Sequence, residues 1–137
     1  MTIKEISIFV QNKKGKLASI SRLMGENNLS IRGFTMADTA EGYGIFRLVV
    51  DYSEKAVELL KSNNYTVSTA DVLAVKIPDA SGALYRVLEL LSEHEMNLEY
   101  IYPVANSVIV MKLDDPIKAS SVLKKEGIEV IENTLEI

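Results

Sequence analysis

The stretch VQNKKGKLASI (10–20) has a counterpart later in the chain, KIPDASGALYRV (76–87). Each runs from an apolar strand end through a short polar turn to a single glycine, Gly15 or Gly82, and then into a pattern that starts a helix. Setting Gly15 on Gly82 brings Leu17, Ile20, Leu23, Met24, Leu29, Ile31 and Phe34 onto Leu84, Val87, Leu90, Leu91, Met96, Leu98 and Ile101, and every position stays apolar. An apolar pattern that recurs in register predicts the same buried faces built twice. Beyond the next hairpin the correspondence resumes, with Ile45, Leu48, Asp51, Ala56, Leu60 and Val67 on Val108, Met111, Asp114, Ala119, Leu123 and Val130. The length change falls where ADTAEGYG (37–44) answers to VANS (104–107), in a loop that tolerates it.

Within each repeat the apolar period alternates between two and 3.6. Ile6, Ile8 and Val10 alternate as a strand; Leu17, Ile20, Leu23 and Met24 share a helix face; Leu29, Ile31 and Gly33 alternate again. IFRLVV (45–50) reads as a buried strand, AVELLKS (56–62) as a helix, and Tyr65, Val67 and Thr69 as a closing strand. The second repeat follows with VLAVKI, a helix from Leu84 to Leu91, NLEYIYPV, SVIVMKL, a helix from near Pro116, and IEVIENTLEI. The predicted class is α+β: two ferredoxin-like βαββαβ units in tandem, 1–71 and 72–137, each an antiparallel sheet with helices on one face. TVSTADVLAVKI (66–77) holds neither Pro nor Gly, so the closing strand of one unit is expected to run into the first strand of the next and couple them rigidly.

The 137 residues are 47% hydrophobic and 25% charged, ordinary for a soluble protein able to bury a core. A net charge of -4 argues against DNA and anionic membranes, which attract clustered Lys and Arg. The lack of cysteine excludes disulfides and thiolate metal sites. No secretory leader or long apolar run is evident, and a cytoplasmic location is expected. No nucleophile–base pair, metal set or phosphate loop points to an enzyme, and no cofactor is expected. Asp51, Asp114 and Asp115 each precede a helix and read as caps, Asp115 most clearly because Pro116 follows it. His94 reads as a surface residue near a helix end.

The strand–turn–Gly-x-Leu corners KKGKL (13–17) and ASGAL (80–84), the helix exits ENNLSI (26–31) and HEMNLEYIYPV (94–104), and the endings SNNYTV (62–67) and KEGIEV (125–130) together resemble a tandem pair of ACT domains. These are ligand-sensing modules attached to many enzymes of amino-acid metabolism, and the resemblance covers nearly the whole chain. Similar proteins commonly carry Pro before the corner glycine, where this chain has Lys14 and Ser81. The resemblance implies a free amino acid as ligand, a partner enzyme of amino-acid metabolism, and sites lying between modules.

Physically, N–H groups at the start of a helix lack intrahelical partners and sit at its positive end, so they suit a carboxylate. Gly15, Lys16 and Leu17 supply them in the first repeat, and Gly82, Ala83 and Leu84 in the second. The resemblance places polar ligand-contacting residues three positions before each glycine, at Asn12 and Asp79, and at the start of the second strand, at Ser30 and Asn97. Pairing the corner of one module with the strand of another joins Asn12 with Asn97 and Asp79 with Ser30. The lysines of NKKGK could favour an acidic ligand, though a solvated loop explains them. Sheets with one uncovered face and unpaired edges also predict a homodimer.

Two other readings are carried alongside. One is a regulatory or assembly subunit that binds an enzyme without any small ligand. The other is an RNA-binding module, because RNA-recognition domains share the βαββαβ order and Phe9 and Tyr43 could stack bases. Against it stand the acidic charge, Glu41 and Ile45 at positions where such domains use basic and aromatic residues, and Lys76 where the second repeat answers to Phe9.

Overall fold

The structure, a computed structural model, describes residues 2–11, 13–39 and 41–137. One compact unit is Lys4–Ala70 and the other is built on Asp71–Ile137. Elements follow in the order β1 (Ile3–Gln11), α1 (Lys16–Glu26), β2 (Ile31–Asp38), β3 (Tyr43–Val50), α2 (Ser53–Ser62), β4 (Thr66–Lys76), α3 (Ala83–Glu93), β5 (Leu98–Pro103), β6 (Val108–Leu113), α4 (Pro116–Lys125) and β7 (Glu129–Ile131), with a final 3-10 turn over Thr134–Glu136. The tandem βαββαβ arrangement is therefore present. β4 is continuous, closing the first repeat and opening the second.

In the first unit β3 pairs antiparallel with both β1 and β2, and β4 lies on the other side of β1. The register sets Ile6 opposite Leu48 and Ile8 opposite Phe46. These four side chains, with Val10, Val50, Ile20, Met24, Ala56 and Leu60, form the core between sheet and helices. The second unit repeats the plan, with β6 between β4 and β5 and β7 on the far side of β4. There Leu73, Val75, Met111 and Leu113 meet Val87, Leu91, Ala119 and Leu123. A strand's period of two gives each sheet this one helix-facing set.

Two apolar correspondences do not end in the core. Leu17 and Leu84 are 38% and 44% exposed, and Phe34 is 63% exposed with Ile101 partly so. Leu17 and Leu84 stand in the first turns of the corner helices, and Phe34 and Ile101 in the edge strands β2 and β5. The shared pattern there marks a repeated apolar surface instead of a repeated core. A second difference is at the C-terminus, where the strand stops at Ile131. Asn133 Oδ1 accepts the Leu135 N–H at 2.9 Å, drawing the backbone into a turn instead of a ladder.

Of the three aspartates read as caps, Asp115 is one: its Oδ1 accepts the Lys118 N–H at 3.1 Å, with Pro116 at the first helical position. Asp51 is not, because Tyr52 is the residue that precedes α2 and no side chain caps that helix. Asp51 Oδ1 instead accepts the N–H of Ser30 and of Tyr52, each at 3.0 Å, fastening the start of β2 to the end of β3. Asp114 holds the matching place, its N–H donating to Asn97 O at 3.3 Å and its Oδ1 accepting from Asp115. His94 is exposed at the C-cap of α3, its Nδ1 2.9 Å from Leu90 O.

Candidate functional site

The two corners share the backbone conformation of their glycines. Gly15 has φ 81° and ψ -4°, and Gly82 has φ 84° and ψ -6°. Both are left-handed, a conformation open to glycine at little cost. Among the described residues a side chain at either glycine would meet nothing within 4 Å, so it is the backbone angle and not crowding that requires glycine. Each turn also closes alike, with Lys16 N–H donating to Lys13 O at 3.4 Å and Ala83 N–H to Ala80 O at 3.2 Å. The next two N–H groups, of Leu17 and Ala18 and of Leu84 and Tyr85, have no hydrogen-bond partner among the described residues.

The four long helices fall into two kinds. Among the described residues α1 and α3, which follow the corners, have no side-chain cap, and neither has an acid in its first turn. α2 carries Glu54 there and α4 is capped by Asp115. An acidic residue or cap is the ordinary way to satisfy the positive end of a helix. The corner helices leave that end open and add positive charge, Lys16 in α1 and Arg86 one turn into α3. On the same helix the Tyr85 phenol is pushed up from its ordinary value, first by a hydrogen bond to Glu89 and then by that carboxylate's charge.

Ser30 and Asn97 lie immediately before β2 and β5 and are exposed. The Asn97 carboxamide and the Ser30 hydroxyl make no hydrogen bonds among the described residues; only their backbones are engaged. Just beyond each, the ladder slips by one residue, between Ile31 and Gly33 in β2 and between Leu98 and Tyr100 in β5. The bulged positions, Arg32 and Glu99, correspond in the two repeats. Nothing in the local sequence announced them, since a bulge is a property of a strand pair. Arg32 Nε is buried without a hydrogen-bond partner among the described residues.

Register places corner and strand start at opposite ends of a unit. Gln11 pairs with Tyr43 at the beginning of β3, while Ile31 pairs with Val50 at its end. A single unit therefore does not bring Gly15 to Ser30, or Gly82 to Asn97. Asp79 is exposed in the turn before Gly82, and Asn12 lies outside the described residues. Cavities open at both corners. Gly15, Lys16 and Leu17 line one of about 250 Å³ with Met36, and Gly82 and Ala83 line one of about 590 Å³ with Arg86, Gly127 and Ile128. Phe9 and Tyr43 are about half exposed and line a third, of about 560 Å³, with Asn64 and Tyr65. Asn64 and Gly127 were not singled out by the sequence pattern, because the turns that carry them are distant in the chain from the corners they reach, and Arg86, one turn past Gly82, was not because only the fold brings it to the α4–β7 turn.

A search of curated proteins finds no match. Among solved structures, the protein BT0572 from Bacteroides thetaiotaomicron is 32% identical with a TM-score of 0.89, over 96% of this chain and 92% of that one. The ligand-free regulatory subunit of aspartate kinase from Thermus thermophilus shares the fold at 11% identity and a TM-score of 0.64, over 89% and 90% of the two chains. Aspartokinase α and β subunits do so at 15% identity and 0.58, over 88% and 90%. The ACT domain pair model matches residues 1–136, and the chain accordingly belongs to the ACT domain pair family.

Proposed function

We propose that this protein senses a free amino acid or a close relative and regulates a partner enzyme of amino-acid metabolism, catalysing no reaction itself. The observation that carries this reading is the contrast among the helices: among the described residues, those that follow the glycine corners begin uncapped and free of acid, and the others do not. Two unpartnered N–H groups at a positive helix end suit a ligand carboxylate. Membership in the ACT domain pair family, and a fold shared with a regulatory subunit of aspartate kinase, agree with a regulatory role in trans.

In this reading the modules are 1–71 and 72–137, and the chain works in the cytoplasm as a homodimer. The ligand contacts in this reading are Asn12 paired with Asn97 and Asp79 paired with Ser30. The carboxamides of Asn12 and Asn97 offer donor and acceptor to a zwitterion, which makes that pair the stronger site. A thermal-shift screen of the free amino acids, followed by calorimetry at millimolar ligand, tests the reading, because a ligand selective for the folded state raises its apparent stability. Asn97→Ala is expected to cost about 1 to 3 kcal/mol of affinity by leaving a ligand group unpaired. Flat responses across the panel would reject ligand sensing and leave the ligand-free assembly subunit.

A further inference from the structure

The cavities of about 590 and 560 Å³ are the same place in the two repeats. One lies between the end of β4, the Gly82 corner and the α4–β7 turn, and the other between the end of β1, the start of α1 and the α2–β4 turn. Ile77, Gly127 and Ile128 of the one answer to Val10, Asn64 and Tyr65 of the other, and both turns use a left-handed residue, Gly127 at φ 78° and Asn64 at φ 64°. Each cavity is walled by a single unit, on the opposite side of the corner from the edge strand and far from Ser30 or Asn97. It is complete without a neighbouring module, and its size is that of ordinary small-molecule sites.

Their chemistry differs. In the second unit Arg86 Nη2 donates to Glu126 O at 2.9 Å, which holds the guanidinium against the α4–β7 turn. Among the described residues no carboxylate pairs with it. Lys76 and Glu129, also at this cavity, are cross-strand partners and offset each other's charge. Arg86 therefore adds an unbalanced cation to the start of α3, where the helix dipole already favours an anion. A guanidinium with free N–H groups is matched to a carboxylate. Ile77, Val87 and Ile128 give the same cavity an aliphatic wall. In the first unit Ser19 answers to Arg86, its hydroxyl turned back to Gly15 O, and the corresponding cavity is lined by aromatic and amide side chains with no arginine among the described residues.

We propose that the second-unit cavity binds an aliphatic α-carboxylate, an amino acid or its 2-oxo acid, with the carboxylate on Arg86 and the hydrocarbon chain against Ile77 and Ile128. The inference rests on the reading of the protein as a sensor of small carboxylates, and it adds a site that needs no second module. Leucine, isoleucine and 4-methyl-2-oxopentanoate are titrated into the intact chain by calorimetry, beside aspartate and lysine, with amide chemical shifts recorded in parallel. One of the three aliphatic ligands is expected to bind and to shift Arg86, Gly127 and Ile128; the arm that binds tells amino acid from oxo acid.

Arg86→Gln is expected to weaken binding at least tenfold without moving the melting temperature, while Arg22→Gln, which removes an exposed cation on α1, leaves affinity within twofold. Shift mapping on the parent protein decides the location even if a variant folds poorly. Aliphatic binding that ignores Arg86→Gln and shifts Ser30 and Asn97 instead would overturn this site and keep the sensor. Binding by aspartate or lysine alone would overturn the aliphatic assignment. No binding by any of them would overturn the site and count against the sensor.

Discussion

Asp51 Oδ1 lies 3.0 Å from the backbone nitrogen of Ser30, and the backbone N–H of Asp51 reaches back to Ser30 O at 3.2 Å. One aspartate thus closes both sides of the junction between β2 and β3 at the residue proposed to touch a ligand. The second unit keeps the backbone half of this arrangement, from Asp114 to Asn97, but Asp114 Oδ1 binds Asp115 N–H. Asp51→Ala is expected to cost about 1 to 3 kcal/mol, as for hydrogen bonds to a charged group, and Asp114→Ala less. Urea denaturation of the two variants checks the order. Equal losses would show that the carboxylate bond across the strands contributes nothing.

Asp115 tests a different device. Its carboxylate accepts Lys118 N–H at 3.1 Å while Pro116 supplies a first helical position that needs no donor. Asp115→Ala is expected to destabilise the protein by about 1 kcal/mol, and Asp115→Asn or Asp115→Ser by much less, since either still accepts the bond. Thermal melts of the three variants provide the comparison.

The repeat was legible because burial imposes periods on the chain: Ile20 and Met24, like Val87 and Leu91, face cores that the alternating strands also line. Gly15 and Gly82 were legible as turn residues for the same kind of reason, since few residues take φ near 80°. Apolar periodicity could not distinguish Leu17 and Phe34 from core residues, because an apolar surface repeated in both units looks like a core repeated in both. Asp51 was misread because an acid before a helix reads locally as its cap, and only the fold shows that the residue before β2, Ser30, also donates to it. The bulges at Arg32 and Glu99, and the meeting of Arg86 with the α4–β7 turn, depend on contacts between distant segments that local pattern does not encode.

Leu17, Phe34 and Met36 are exposed apolar residues on the first unit, at or near β2, whose outer edge has no partner strand among the described residues. An exposed edge with apolar side chains is a template for pairing with another chain. The proposed homodimer is expected to use it. Light scattering of the parent protein at high concentration should give twice the chain mass, and Phe34→Lys should shift it toward the monomer without lowering helix content. A strict monomer for the parent would reject the dimer.

The corner glycines separate stability from binding. With open space where a side chain would leave either glycine, substitution costs backbone strain alone: Gly15→Val and Gly82→Val are expected to lose about 1 to 3 kcal/mol, since a branched residue resists a left-handed backbone. Asn tolerates that region better, as Asn28 and Asn64 do in this chain, so Gly15→Asn and Gly82→Asn should lose less. If the corners are docking points for a carboxylate, all four variants place a side chain where the ligand backbone would approach. Affinity for a confirmed ligand should then fall in the Asn variants too, although they remain well folded. Calorimetry against melting temperature, compared corner by corner, gives the answer: Asn variants that bind as tightly as the parent would leave the glycines with a purely conformational role.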